Sequence, residues 1–553
     1  MVSVLISFFY IGITGFLLGF GIKLGVAALF KYEMQEVCGI LVAGLAGATV
    51  YAGYFSLFAK VGLGANVGLL ILCGTVAVMG RKELSSFLRE KSRELTKSRL
   101  FFLGLLTLVM AYGASRGYMH FDTGLYHAQS IRWIEEYGVV PGLANLHSRL
   151  AYNSSAFGLT ALYSHAFLTG HSLHTVSGFL ALVMAVKGFS AVQIFYRKSV
   201  RPSDLVKVAL LWYISIIYTE MMSPSSDYFA MLFLFYAVLA WVELEERGER
   251  EIAPYSLLCV LLAVILTVKL SAAIMLILVL KPVVVLLREK RWGQIGGCLL
   301  LGTAAVFPYL ARNVILSGWL VYPFGGLDLF PVDWKLPLGE VQYDAEEIRV
   351  YAKGMRDVLL KDTPIGEWFP QWFAALKGLE KIWVFTSIIS LAAGGFWSLL
   401  MLFGKKKEAW GMVFLEGTLI AGYLFWQLGT PLVRYGYLYI LALPFFTTGL
   451  WFTTLVKNKK IACRMMAAAL VFLGAYKGIN LIQDMLRYGE QGNLVWQQDY
   501  MTGAYDSYEV DGITIYVPLE SGQIGYERFP SSPYVREDIE LRDGTLSGGF
   551  RRK

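Results

Sequence analysis

The chain has 553 residues, 56% of them hydrophobic and only 16% charged, with a formal net charge of +8. A soluble domain carries about 25% charged residues, so the composition excludes an ordinary soluble enzyme. No alternating ten-residue strands precede the C-terminus, which excludes a membrane β-barrel, and the basic residues sit in short loops between apolar runs, a membrane-topology signal rather than a nucleic-acid one.

In chain order, apolar runs predict helices over 3–23, 36–58, 64–79 and 100–115. The first lacks a basic leader and a small-residue cleavage site, so it reads as a retained helix. Residues 1–80 form an N-terminal three-helix membrane extension. Helix 100–115 runs out into GYMHFDTGLYHAQSIRW (117–133), where His120 and His127 flank Asp122. The stretch 123–138 has helical periodicity and reads as an amphipathic helix lying in the interface. Residues 139–153 are turn-rich around Pro141-Gly142. The run SSAFGLTALYSHAFLTG (154–170) reads as a juxtamembrane or re-entrant helix, with Ser164 and His165 suiting a partly wet position.

Further helices are predicted over 174–195, 205–221, 228–243, 254–268, 270–287, 295–311, 381–403, 410–428, 437–455 and 461–477. In the loop 312–380, residues 344–360 have a helical period, and EWFPQWF (367–373) reads as a short surface helix interrupted by Pro370. In the tail, DGITIYVPLESG (511–522) is β-prone. The tail is too short for a large core of its own and is expected to pack on the outer loops.

Basic runs occupy 81–99, 196–201, 288–291, 404–408 and 457–460. If 154–170 does not span, all five fall on the cytoplasmic side. The expected fold is then an all-α polytopic membrane protein of about 14 spans with its N-terminus outside. The transmembrane core covers 100–477, and the outer loops 116–173 and 312–380 and the segment 478–553 are extracytoplasmic.

Five ionisable residues then share the outer face at separate span ends: Asp122, Asp227, Lys269, Arg312 and Arg434. Such groups at membrane depth are costly and mark polar cavities. Two carboxylates with three cations suit chemistry on a phosphorylated lipid, where a cation binds the phosphate and a carboxylate takes a proton from a hydroxyl. A short carboxylate at the rim cannot snorkel, so Asp122 is the candidate base. Tyr126 and His127 join the candidate substrate contacts. All six histidines lie between 120 and 174 without close ligand spacing, and the five cysteines show no C-x-x-C. No metal ligand set or cofactor is assigned, and a divalent cation is left open.

This layout resembles the GT-C superfamily of integral-membrane glycosyltransferases, which includes protein O-mannosyltransferases and the aminoarabinose transferase of lipid A. Members carry an acidic residue in the first large outer loop just after a span, matched by Asp122 in HFDTGLYHAQSIRW, and an acidic turn opening a later span, matched by Asp227 in SPSSDYFA. The first loop departs from the adjacent acidic pair of several members, with Thr123 following Asp122. The runs ARNVILSGWLVYPFGGLDLFPVDWKLP (311–337) and PSSPY…LRDGTLSGGFR also resemble uncharacterised bacterial multi-pass membrane proteins. The resemblance implies a GT-C-like bundle in a bacterial cell membrane. It would move a sugar, with inversion, from a polyprenyl-phosphate donor to a surface glycan, lipid or protein, with Asp122 as general base and Lys269, Arg312 and Arg434 on the donor phosphate. Two rivals stand beside it: a glycan polymerase or ligase using lipid-pyrophosphate substrates, and a transporter of lipid-linked sugars.

Overall fold

The computed structural model describes residues 1–456, 458–487 and 494–553. Lys457 of the predicted basic run and 488–493 of the predicted tail lie outside the described residues. Among the described residues, eleven helices are long and apolar enough to cross a membrane, or twelve if Leu63–Met79 and Arg81–Glu94, which meet at 84°, form one span. The chain is an all-α polytopic membrane protein.

The expected count of about 14 exceeds this because three predicted spans are short. Leu63–Met79 has 17 residues, and Pro202–Ile217 and Ala253–Val268 have 16 each. At about 1.5 Å per residue, 16 residues reach about 24 Å, less than the hydrocarbon thickness of about 30 Å.

The helices pack around Ser226–Glu246, whose interior is apolar on every side, as a fully enclosed helix requires. Buried ion pairs hold this helix at both ends. At its start, Asp227 meets Lys269 and Arg434. At its end, Glu243 meets Lys187 at 2.6 Å and Lys207 at 2.9 Å, and Glu36 also reaches Lys187, at 2.5 Å. The helices Val2–Phe30 and Val37–Ser56 cross at small residues. A Cβ on Gly19 would lie 1.8 Å from the Ile40 carbonyl oxygen, and one on Gly44 1.7 Å from that of Gly15. Close backbone approach of this kind is how membrane helices gain packing contact.

Several local expectations are corrected. The run 154–170 is not one helix: Ser155–Leu162 is a short buried helix, and the separate turn Ala166–Thr169 holds no buried residue. Ser154, the N-cap of the buried helix, donates to the Val268 carbonyl at 2.8 Å, and Ser155 bonds Thr267 at 2.7 Å. The segment after Asp122 is enclosed by protein rather than open on one face. It begins as a π-turn, Thr123–His127, and continues as Ala128–Glu136, buried beneath the tail. The helix expected over 344–360 runs from Leu338 to Ala352, and Ile365–Ala375 continues through Pro370.

The tail forms two antiparallel hairpins, β1 (Tyr505–Val510) with β2 (Ile513–Pro518) and β3 (Ile539–Leu541) with β4 (Phe550–Arg552). Val510, Ile515, Ile539, Leu541 and Phe550 share an apolar cluster with Trp133, Val140, Leu143 and Leu316. Phe550 N–H donates to the Pro141 carbonyl at 3.0 Å, and Arg132 Nη1 donates to the carbonyls of Tyr526 and Glu527, each at 2.6 Å. The tail therefore clasps the loops 116–175 and 312–341.

Candidate functional site

Four of the ionisable residues singled out in the sequence meet at one end of the bundle. Arg434, just inside Val433–Leu455, is the hub. Its Nη2 donates to Asp122 Oδ2 at 2.6 Å, and its Nε lies 3.1 Å from Asp227 Oδ2. Lys269 donates to the other oxygen of Asp227. The ring of Tyr435 lies 3.6 Å below the Lys269 ammonium and 5.2 Å from the Arg434 guanidinium, adding cation–π attraction. Two carboxylates and two cations balance, so the cluster is neutral, the condition under which charge persists at this depth.

The local chain explains each position. Asp227 lies in the first turn of the central helix, where a carboxylate suits the helix dipole. Lys269 lies in the extended break between Ala253–Val268 and the 3₁₀ turns that follow. Asp122 immediately precedes the π-turn, a wider winding common at functional sites.

His120 completes the cluster, although sequence reasoning placed it only beside Asp122. Its Nε2 is 2.7 Å from Arg434 Nη1. A guanidinium has no lone pair, so Nε2 accepts and the ring proton sits on Nδ1. That Nδ1 lies 4.0 Å from Asp122 Oδ2 and 3.1 Å from the Asp122 backbone nitrogen. With Nδ1 protonated, the nitrogen approach is a close contact rather than a hydrogen bond. Burial, then the nearby Arg434, pushes the His120 pKa down, which keeps the ring neutral.

His127 and Tyr126 form the layer beneath. The two histidine rings stack at 6.3 Å, and Tyr126 meets His127 edge-on at 4.4 Å. Burial holds the His127 pKa well below its ordinary value and raises that of Tyr126. Among the described residues, no group of three or more His, Cys, Asp or Glu side chains could hold a metal ion.

Arg312 does not join this network, which corrects its grouping with the other cations. Its Nε donates to Asn153 Oδ1 at 2.8 Å, and its Nη1 to Ser56 Oγ at 2.7 Å and the Gly138 carbonyl at 3.1 Å. It ties two membrane helices to the loop 116–175 and reaches no carboxylate among the described residues. A separate cavity of about 20 Å³ lies against it.

A cavity of about 270 Å³ borders the charged cluster through His120. The loop supplies Phe121 and Thr123 to one wall, and the tail supplies Tyr500, Glu520 and Gln523 to the other. A larger, mostly apolar cavity of about 580 Å³ lies toward the opposite end, near Glu36 and Glu243.

No curated protein and no solved structure matches the chain. A family model described as a domain of unknown function matches residues 1–441, which include Asp122, Asp227, Lys269 and Arg434 and stop short of the tail. The chain belongs to that family, DUF8201.

Proposed function

We propose that this chain is a membrane glycosyltransferase that moves a sugar from a polyprenyl-phosphate donor to an acceptor hydroxyl. The observation that carries the reading is the convergence of Asp122, Asp227, Lys269 and Arg434 from four distant points of the chain into one network beside a cavity. Counting the three shorter apolar helices as spans gives fourteen. With the basic runs on the cytoplasmic side, the cluster then faces outward from a bacterial cell membrane.

The chemistry follows from the cluster's balance. A donor phosphate entering the site competes with Asp122 for Arg434 and shares Lys269, so the two cations stabilise the charge that grows on the departing phosphate. Asp122, released from Arg434, takes the proton from the acceptor hydroxyl. The acceptor oxygen forms the new bond to the anomeric carbon from the face opposite the phosphate. The carbon–oxygen bond to phosphate breaks, and its electron pair leaves on the lipid phosphate, so the anomeric centre inverts. His120 keeps Arg434 oriented without adding charge. Arg312 takes no part in this scheme.

The test is mass-spectrometric profiling of surface glycans and lipids in a strain lacking the gene, complemented with wild type or Asp122→Asn at matched expression. The reading expects a sugar that is missing in the deletion, restored by wild type and not restored by Asp122→Asn. Equal restoration by both removes Asp122 as the base and moves a transporter ahead.

A further inference from the structure

We propose that the cavity of about 580 Å³ binds a phospholipid with a primary-amine head, and that one acyl chain of this lipid fills the seam between the first two helices and the rest of the bundle. The site is independent of the transferase reading. Its walls come from five helices, Val2–Phe30, Val37–Ser56, Ser226–Glu246, Ala253–Val268 and Trp292–Ser317. Val26, Ala46, Val50, Leu261 and Leu301 make the interior apolar. Its volume is that of a small-molecule site, about 300–1,000 Å³. Water does not settle in such an interior, since each molecule needs about two to four polar partners. Gly39 and Val50 both line it, and at about 1.5 Å per residue they stand about 17 Å apart along one helix. That is close to one leaflet's share of the hydrocarbon, about 15 Å.

One polar group inside the wall is both unsatisfied and reachable. Tyr236 is 8% exposed, and its hydroxyl has no hydrogen-bond partner among the described residues. It is not one of the buried atoms shut off from solvent, so its free surface lies toward the cavity it lines. A buried tyrosine hydroxyl ordinarily finds a partner. The Tyr236 oxygen would lie 2.7 Å from a Cβ on Gly39, which places it about one turn inside the mouth residue Glu36. The ester carbonyls of a phospholipid lie at that level, where head gives way to chain, and they accept from a hydroxyl.

The mouth sets the head. Glu33, Glu36, Glu243 and Glu249 line it with a single cation, Arg247. Glu36 and Glu243 are engaged by Lys187 and Lys207. Glu33 and Glu249 have only neutral donors among the described residues, Gln35 at 3.1 Å and the Glu251 backbone N–H at 3.0 Å. Arg247 has no ion pair among the described residues. A guanidinium takes a phosphate, and two carboxylates take an ammonium with its three N–H donors. A head with phosphate and no amine would add negative charge to a mouth that already holds more carboxylates than cations.

The experiment is native mass spectrometry on the full chain, delipidated in detergent and mixed with phosphatidylethanolamine, phosphatidylglycerol and phosphatidylcholine of identical chains. Wild type should retain one phosphatidylethanolamine, about tenfold over either other lipid, the effect of one charge-assisted hydrogen bond. Ala43→Trp fills the cavity from its wall and should abolish that adduct. Tyr236→Phe keeps the ring and loses the hydroxyl, and should weaken retention about fivefold, the effect of one neutral hydrogen bond. Glu33→Gln with Glu249→Gln should erase the preference over phosphatidylglycerol. Thermal melting shows whether Ala43→Trp folds, and added phosphatidylethanolamine should raise the melting temperature of wild type but not of the folded variant. If Ala43→Trp does not fold, Tyr236→Phe decides. No retained lipid, equal retention of phosphatidylethanolamine and either other lipid, or full retention by Tyr236→Phe or by folded Ala43→Trp overturns the site.

Discussion

Acid should open the loop that carries the site, and two histidines set the size of the effect. His147 and His174 are buried, and burial pushes their pKa values down to about 3 and about 4. Each ring also has one nitrogen, Nδ1 of His147 and Nε2 of His174, with no partner among the described residues to share a proton. In the unfolded loop both titrate near 6.5. Because the folded values lie below the unfolded ones, the unfolded state binds protons first as pH falls. Stability is whole above the unfolded value and drains away from there down through the folded values. At pH 5, about 1.5 below the free imidazole value, each ring costs about 2 kcal/mol, and the pair about 4 kcal/mol. That is roughly a 10³-fold rise in the population of the opened loop. Glu135 works in the opposite direction, since burial raises its carboxyl pKa. Comparing wild type with a His147→Gln, His174→Gln double variant cancels that term and any pH-independent packing loss. Thermolysin cleavage of the native protein, under conditions where reclosing outpaces cleavage, reads the opening equilibrium. The ratio of wild-type to variant opening should rise about 10³-fold between about pH 7.5 and about pH 5. A ratio that stays constant refutes the reasoning.

Asp122→Asn should fold, since Arg434 keeps Asp227, and should lower sugar transfer by about 10² to 10⁴-fold; a transfer rate equal to wild type would show that Asp122 is no base. Arg434→Leu leaves Asp122 without its cation and should lower stability by about 3 kcal/mol, the low end for a buried pair because Arg434 is 24% exposed. Adding Asp122→Asn should recover part of that loss, and strictly additive melting shifts would deny the coupling. At the other end of the bundle, Glu243→Leu strips the shared partner from Lys187 and Lys207 and should cost about 3–5 kcal/mol; an unchanged melting temperature would contradict the ion-pair account.

How much of this was legible in the sequence depends on whether the signal was local. Asp122, Asp227, Lys269 and Arg434 stood out because each charge interrupts the edge of an apolar run, and such a charge persists in a membrane only where something compensates it. Their mutual pairing was not legible, since Arg434 lies 312 residues from Asp122. Arg312 gave the same signal for a different reason: neutral oxygens of Asn153, Ser56 and Gly138 satisfy it. His120 was visible as a neighbour of Asp122, but its contact with Arg434 is long-range. Of the polar residues of 154–170 that suggested water, Ser154 and Ser164 donate to carbonyls inside the protein, whereas His165 is partly exposed. The cavity beneath the tail could not be read at all. It depends on how backbone groups such as Gly525 N–H dock on the loop, and backbone donors leave no mark in a side-chain pattern.

The two carboxylates at the site are not equivalent, and on the transferase reading the difference decides which of them acts as the base. Asp227 belongs to the enclosed central helix, is 6% exposed, and has a cation on each oxygen. To free it, a substrate would have to displace both Lys269 and Arg434. Asp122 precedes a π-turn, is 16% exposed, and among the described residues has Arg434 as its one charged partner, with the neutral His120 ring at 4.0 Å. A phosphate that captures Arg434 therefore releases Asp122 first, while Asp227 keeps Lys269 as a partner. The released carboxylate also adjoins the cavity wall formed by His120, Phe121 and Thr123. On the transferase reading, arrival of the donor and exposure of the base are one event, because Arg434 holds Asp122 until a phosphate displaces it.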